Sequence, residues 1–168
     1  RPMPFGRQEK LGSRNTMLTQ TVGVEELQRR LLPRERWHPV PPAAEREFWE
    51  TLPAAVREAH IRDAAAAAGC AWPSLPATLF LEFARNGNRN RYEKQCFARR
   101  NTLCGLVLAE CMEGRGRFVD DIVNGLWAIC EESFWGVPAH VGMQKAGRGL
   151  PDVEDPVVPL FVGQTAGL

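Results

Sequence analysis

Arg117-Phe118-Val119-Asp120-Asp121-Ile122-Val123-Asn124-Gly125-Leu126-Trp127-Ala128-Ile129-Cys130-Glu131-Glu132-Ser133-Phe134 is the stretch that decides the fold. Phe118, Ile122, Leu126 and Ile129 recur at helical spacing and are flanked by Val119, Val123, Trp127 and Cys130. So wide an apolar stripe predicts a helix that is largely buried, with Asp120, Asp121 and Asn124 on its wet side. Just upstream, from about Asn90 to Met112, Cys96, Phe97, Leu103, Val107 and Cys111 keep the same period, and Gly114 supplies the stop. Two such segments joined by a few residues predict an antiparallel helix pair.

Outward from this pair the chain keeps to helices. Ala77 to Arg85 is a short one with Leu79, Phe80 and Phe83 facing inward, ended by Asn86-Gly87-Asn88. Ala43 to Ala68 divides near Thr51-Leu52, because Pro53 suits a first helical turn better than the middle of one helix, and Gly69 ends the second half. Val24 to Leu32 forms a further short helix before a proline-rich passage through Pro42, and residues 1–22 read as a loosely ordered lead-in. After His140, a loop through Gly142, Gly147 and Gly149 leads to Leu160-Phe161-Val162, which opens a last helix. Strand patterns are almost lacking, so the expected class is all-α, built from antiparallel helix pairs. A helix beginning at Leu160 has nothing of its own to pack against, which makes residues 23–168 the expected N-terminal part of a larger helical domain.

Bulk composition narrows the function classes. The 21 Lys and Arg balance 20 Asp and Glu to a net charge of +1, which provides no field for nucleic acid or an anionic membrane surface. No run approaches the roughly 20 apolar residues needed to span a bilayer. Cys70, Cys96, Cys104, Cys111 and Cys130 are odd in number and lack a C-x-x-C pair, which argues against a disulfide framework or a metal site. Most read as core thiols, a usage that fits a reducing compartment. The chain opens on Arg1 without a signal-like apolar core, the expected mark of a removed leader or of a start inside a longer protein. Phosphate-loop, dinucleotide, zinc-protease and serine-hydrolase motifs are missing, and no cofactor is expected.

Three constellations carry chemistry. Glu131-Glu132-Ser133-Phe134-Trp135-Gly136-Val137-Pro138-Ala139-His140 closes the deciding helix with polar groups. There Trp135 offers a face for a pyranose ring, His140 an imidazole that can serve as acid, base or hydrogen-bond donor, and Glu131 and Glu132 acceptors for sugar hydroxyls. The alternative is structural, with Trp135 plugging a core and His140 capping a carbonyl. Arg85-Asn86-Gly87-Asn88-Arg89-Asn90-Arg91-Tyr92 sets Arg85, Asn88 and Arg89 in one turn, fit for an acidic sugar or for ordinary turn and capping chemistry. Arg99, Arg100 and Glu110 share the long helix, where a carboxylate is either paired or functional. His38 and His60 read as structural or surface residues.

Four segments together resemble the N-terminal region of heparinase II/III-like proteins. They are Phe80-Leu81-Glu82-Phe83-Ala84-Arg85-Asn86-Gly87-Asn88-Arg89, Leu103 to Glu110, Arg117 to Ile122, and Glu132 to His140. The tail from Leu150-Pro151-Asp152 through Pro159-Leu160-Phe161 to Gln164-Thr165-Ala166 resembles that family's next helix, so the likeness spans about residues 45–168. It departs from the family at Pro159 and Gln164, where acidic residues are expected.

The resemblance implies part of an incomplete (α/α) toroid, followed in the family by a β-sandwich. It also implies a polysaccharide lyase that cleaves uronic-acid polymers by β-elimination. The partners implied are an acidic polysaccharide or oligosaccharide and the C-terminal part of the same protein, and the setting is periplasmic or secreted. The catalytic groups implied fall beyond Leu168, and Tyr92, the only tyrosine, lies too early to match the catalytic one. Trp135, His140, Glu131, Glu132, Arg85, Asn88 and Arg89 are then the expected substrate-binding set. Other readings of the same residues are a carbohydrate-binding helical module without chemistry, and a glycoside hydrolase using Glu131 or Glu132 as acid and base.

Overall fold

A computed structural model describes residues 23–168; the lead-in expected at residues 1–22 lies outside the described residues. The chain divides into two compact units at Val40 and Pro41. The described part of the first holds helix α1 (Val24–Arg30) and a single 3-10 turn at Arg34–Arg36. Glu25 and Glu26 sit in the first turn of α1 and Arg29 and Arg30 in its last, the arrangement that opposes the helix dipole.

The second unit contains α2 (Arg46–Thr51), α3 (Ala54–Ala67), α4 (Ala77–Phe80), α5 (Glu82–Asn86), α6 (Asn90–Glu113), α7 (Val119–Cys130) and α8 (Leu160–Ala166). A 3-10 turn at Pro138–His140 lies between the last two. No strand occurs among the described residues, so the all-α class holds. Among them no helix is long and apolar enough to cross a membrane.

The 24-residue α6 is the axis of the unit. It ends at Gly114, whose φ of +69° suits glycine, and the Arg46 guanidinium closes that end by donating to the carbonyls of Cys111 at 2.5 Å and Met112 at 3.0 Å. A Cβ on Gly114 would stand 2.8 Å from Arg46 Cζ, so a side chain there would also push this guanidinium aside. Glu110 then reaches forward and accepts from the backbone N–H of Gly116 at 2.5 Å, in the loop before α7, and of Phe118 at 3.1 Å, the residue that caps its start. The carboxylate singled out on the long helix is therefore paired with backbone, and it fixes the antiparallel hairpin of α6 and α7.

Two apolar clusters pack along α6. Ala64, Leu106, Ala109 and Phe118 are buried together toward its C-terminal end, with Ile61, Trp72 and Ile122 against them. Of the run Ala64 to Ala68, only Ala64 is buried and lets α3 come close, while Ala65 and Ala66 face solvent. Toward the N-terminal end, Phe80, Tyr92 and Cys96 meet Val137, Val141 and Phe161. The loop that follows is ordered by a residue without a sequence signal: buried Gln144 donates to Gly147 and Leu150 carbonyls at 2.8 Å each and accepts from Asp152 N–H at 3.0 Å.

Helix α7 departs from expectation. Phe118, Gly125 and Ile129 are buried, but Val119, Val123, Leu126, Trp127 and Cys130 are exposed, with Trp127 at 67%. The wide stripe is two faces: one packs on α6 and the other meets nothing among the described residues. For the same reason Cys130 is a surface thiol, while Cys96 is a core one.

Candidate functional site

The site grows from two lines of side chains that share one spacing. On α7, Phe118, Ile122, Gly125 and Ile129 are spaced four, three and four apart, and the next step of three lands on Glu132. On α6, Tyr92, Cys96, Leu103 and Leu106 are buried, and the place between Cys96 and Leu103 is taken by Arg99. Arg100, which is buried, stands beside it, so the α6 line carries two guanidiniums and the α7 line one carboxylate, at facing levels of an antiparallel pair. That coincidence is the sequence signal for the site.

The helix ends so as to bring Glu132 inward. Glu131 caps α7, and the N–H of Glu132 bonds to the Ile129 carbonyl at 3.1 Å. The Glu132 side chain, 3% exposed, lies between two guanidiniums. Arg99 Nη1 donates to Glu132 Oε1 at 3.1 Å and to the Ala128 carbonyl at 2.7 Å, while its Nε donates to the Pro73 carbonyl at 2.6 Å. Arg100 Nη2 donates to Glu132 Oε2 at 2.8 Å and its Nη1 to Oε1 at 3.2 Å. Its Nε donates to Thr165 Oγ1 at 2.9 Å, and its Cζ lies 4.9 Å from the centre of the Phe161 ring, which ties α8 to the same network. One carboxylate between two guanidiniums leaves one positive charge in excess.

Beside this network is a cavity of about 330 Å³ lined by Leu75, Phe80, Tyr92, Arg99, Glu131, Glu132, Ser133, Phe134 and their neighbours. Phe80 packs edge-on against Tyr92, with ring centres 5.0 Å apart, and meets Phe134 at 6.2 Å. Burial first, then the nearby Cys96 and Glu132, raises the Tyr92 phenol above its ordinary pKa, against the pull of Arg100 and Arg99. At neutral pH Tyr92 is a protonated hydroxyl, a donor and not a base. Glu131 is exposed at the rim, where its Oε1 accepts from the Trp127 indole at 2.6 Å.

Of the expected set, the structure brings only Glu131 and Glu132 together here. Trp135 donates its indole N–H to the Ile129 carbonyl at 2.8 Å and lines a more open depression with Cys130, Pro156, Val157 and Val158, which adjoins the cavity through Glu132, Ser133 and Phe134. His140 lines a third, apolar depression with Met143, Val158 and Leu160, and its Nδ1 is sealed from solvent without a hydrogen-bond partner. Arg85 stands exposed in the last turn of α5, and Asn88 and Arg89 on the exposed turn between α5 and α6. Gly87 has a φ of +79° there, Asn88 Oδ1 accepts from Arg91 N–H at 3.4 Å, and Arg89 Nε lies 2.7 Å from Glu93 Oε1. That oxygen has charge contact but no well-directed hydrogen bond. Tyr92, Arg99, Phe80 and Phe134 are the lining residues that motif spacing left out of the set.

Among the described residues no group of three or more His, Cys, Asp and Glu is placed to hold a metal ion. Compared with protein-family models and with curated proteins, the chain matches none.

Proposed function

We propose that this chain is the N-terminal part of an incomplete (α/α) toroid in a heparinase II/III-like polysaccharide lyase, and that it supplies one wall of a cleft for an acidic polysaccharide. The observation that carries the reading is the cavity beside Glu132. It joins charged and hydroxyl groups to aromatic walls, the combination a sugar ring presents in reverse with its hydroxyl edge and C–H faces. Its volume of about 330 Å³ is at the small end for ligand pockets and suits one ring at a time. The toroid part of the reading draws support from the uncovered face of α7, the kind of surface that a neighbouring helix pair covers.

β-Elimination from a uronate needs a group that neutralises the carboxylate, a base for the C5 proton and an acid for the leaving oxygen. The cavity residues fit the binding part of that task. Glu132 has both oxygens engaged by guanidinium, and Tyr92 keeps its proton at neutral pH, so neither is set up as the base. On this reading the proton-transfer groups belong to the parent protein outside residues 1–168, and the chain alone binds without turnover. The test is the rise in ultraviolet absorbance from unsaturated uronate when the full-length protein meets alginate, heparan and related polymers. Silence across that panel overturns the lyase; binding of oligouronides without any turnover favours a non-catalytic carbohydrate-binding module.

A further inference from the structure

The guanidinium of Arg99 is fixed but not used up. Its Nε and Nη1 are committed to the Pro73 carbonyl, the Ala128 carbonyl and Glu132, while Nη2 has no hydrogen-bond partner among the described residues. The Tyr92 hydroxyl likewise has none, and neither atom is among those sealed from solvent, which are Glu82 Oε2, Glu93 Oε1 and His140 Nδ1. Both residues line the cavity, so two donors remain for a guest. On the opposite count, Glu131 Oε2 is a free acceptor at the rim.

We propose that Arg99 is the specificity-determining residue of this cavity: Nη2 and the Tyr92 hydroxyl take the carboxylate of an acidic sugar ring, and Glu131 takes a ring hydroxyl. Glu132 and Arg100 act through Arg99 and are positioning residues. An arginine already held by three acceptors loses little freedom when it binds, so the charge-assisted contact is expressed as selectivity for the acidic ring. The inference rests on the sugar-cleft reading, and it is tested apart from catalysis.

Calorimetric titration of the 168-residue chain compares an oligouronide trisaccharide with the same trisaccharide whose carboxylates have been reduced to primary alcohols. The acid is expected to bind at least about tenfold more tightly, the scale of one charge-assisted hydrogen bond. The Arg99 side-chain N–H resonance should shift on binding. Arg99→Gln should bring the two affinities within about twofold, and Arg99→Lys should restore part of the preference because it restores charge without the fork. The wild-type comparison needs no variant, so a poorly folded Arg99→Gln does not block the test. Equal affinity for acid and alcohol overturns the role of Arg99 and leaves a sugar cleft standing. An acid preference that survives both substitutions overturns it too and moves the carboxylate site elsewhere. No binding of either trisaccharide by the chain or by the full-length protein removes both the inference and the cleft.

Discussion

Glu132 shows how unevenly a buried ion group answers to mutation. Its side chain is 3% exposed and that of Arg100 is 7%, so neither can fall back on water if the other is lost. Arg100→Met should therefore lower unfolding free energy by about 3–5 kcal/mol in urea titration, since it also strips the donor from Thr165. A loss below about 1 kcal/mol would mean that Arg99 alone compensates the carboxylate. The thiol two turns before Leu103 gives a second residue-scale test. Burial pushes Cys96 from an ordinary 9.0 up to about 11, with Arg100 pulling the other way. The folded state then keeps a proton that the unfolded chain gives up, so this contribution is complete below pH 9 and is lost as pH rises toward 11. It amounts to roughly 2–3 kcal/mol at most. Tyr92 adds a loss of the same sign further into alkali. Stability measured from pH 8 to 11 should fall more steeply for the wild type than for Cys96→Ala; equal slopes would refute the burial account. The buried charges were half legible in the sequence. Arg99, Arg100 and Glu110 stand out on their helix and Glu132 continues the α7 spacing past the helix stop, but their pairing was not legible, because the two arginines lie 32 and 33 residues from Glu132.

At the scale of elements, the joints are made by single side chains. Glu110 caps α7 through two backbone N–H groups, so Glu110→Ala should cost about 1–2 kcal/mol, and Glu110→Gln less, since an amide oxygen keeps one acceptor. Amide exchange at Gly116 and Phe118 should quicken in step; protection there unchanged in Glu110→Ala would rule out the capping role. Gly125 sets packing against propensity. In an open helix, Gly→Ala stabilises by up to about 1 kcal/mol. Here the added Cβ would stand 2.4 Å from the Trp72 ring, which is wedged among Ala64, Leu106 and Phe118. Gly125→Ala should lower the melting temperature, by the equivalent of about 1–3 kcal/mol of overpacking. A rise in melting temperature would show that the ring has room to shift. Helix positions in this chain were legible because period and glycine stops are local. The cap at Glu110 and the contact of Trp72 with Gly125 were not, because each depends on which helix lies opposite.

For the molecule as a whole, the open question is what covers α7. Val119, Val123, Leu126 and Trp127 run along one side of it at three- and four-residue spacing, between 45% and 67% exposed, while the other side is packed on α6. Periodicity could announce both faces as apolar, yet it had no means to say that the second one lacks a neighbour in residues 23–168. The same limit kept the cavity out of sight: its walls come from α4, α6, the end of α7 and the loop at Leu150, and only folding brings them together. If the uncovered face is made for a neighbouring helix, substitutions on it should act differently in two settings. In the 168-residue chain, Val123→Glu with Leu126→Gln removes only exposed surface, so unfolding free energy should change by less than about 1 kcal/mol. Sedimentation of that variant should also show less self-association than the wild type, because an exposed apolar patch is gone. In a longer protein of the kind proposed above, the same pair of substitutions should cost several times more, since it would place a charge and an amide against a packed helix. Equal, small effects in both settings would show that α7 stays open to solvent, and would remove the support it lends to a toroid.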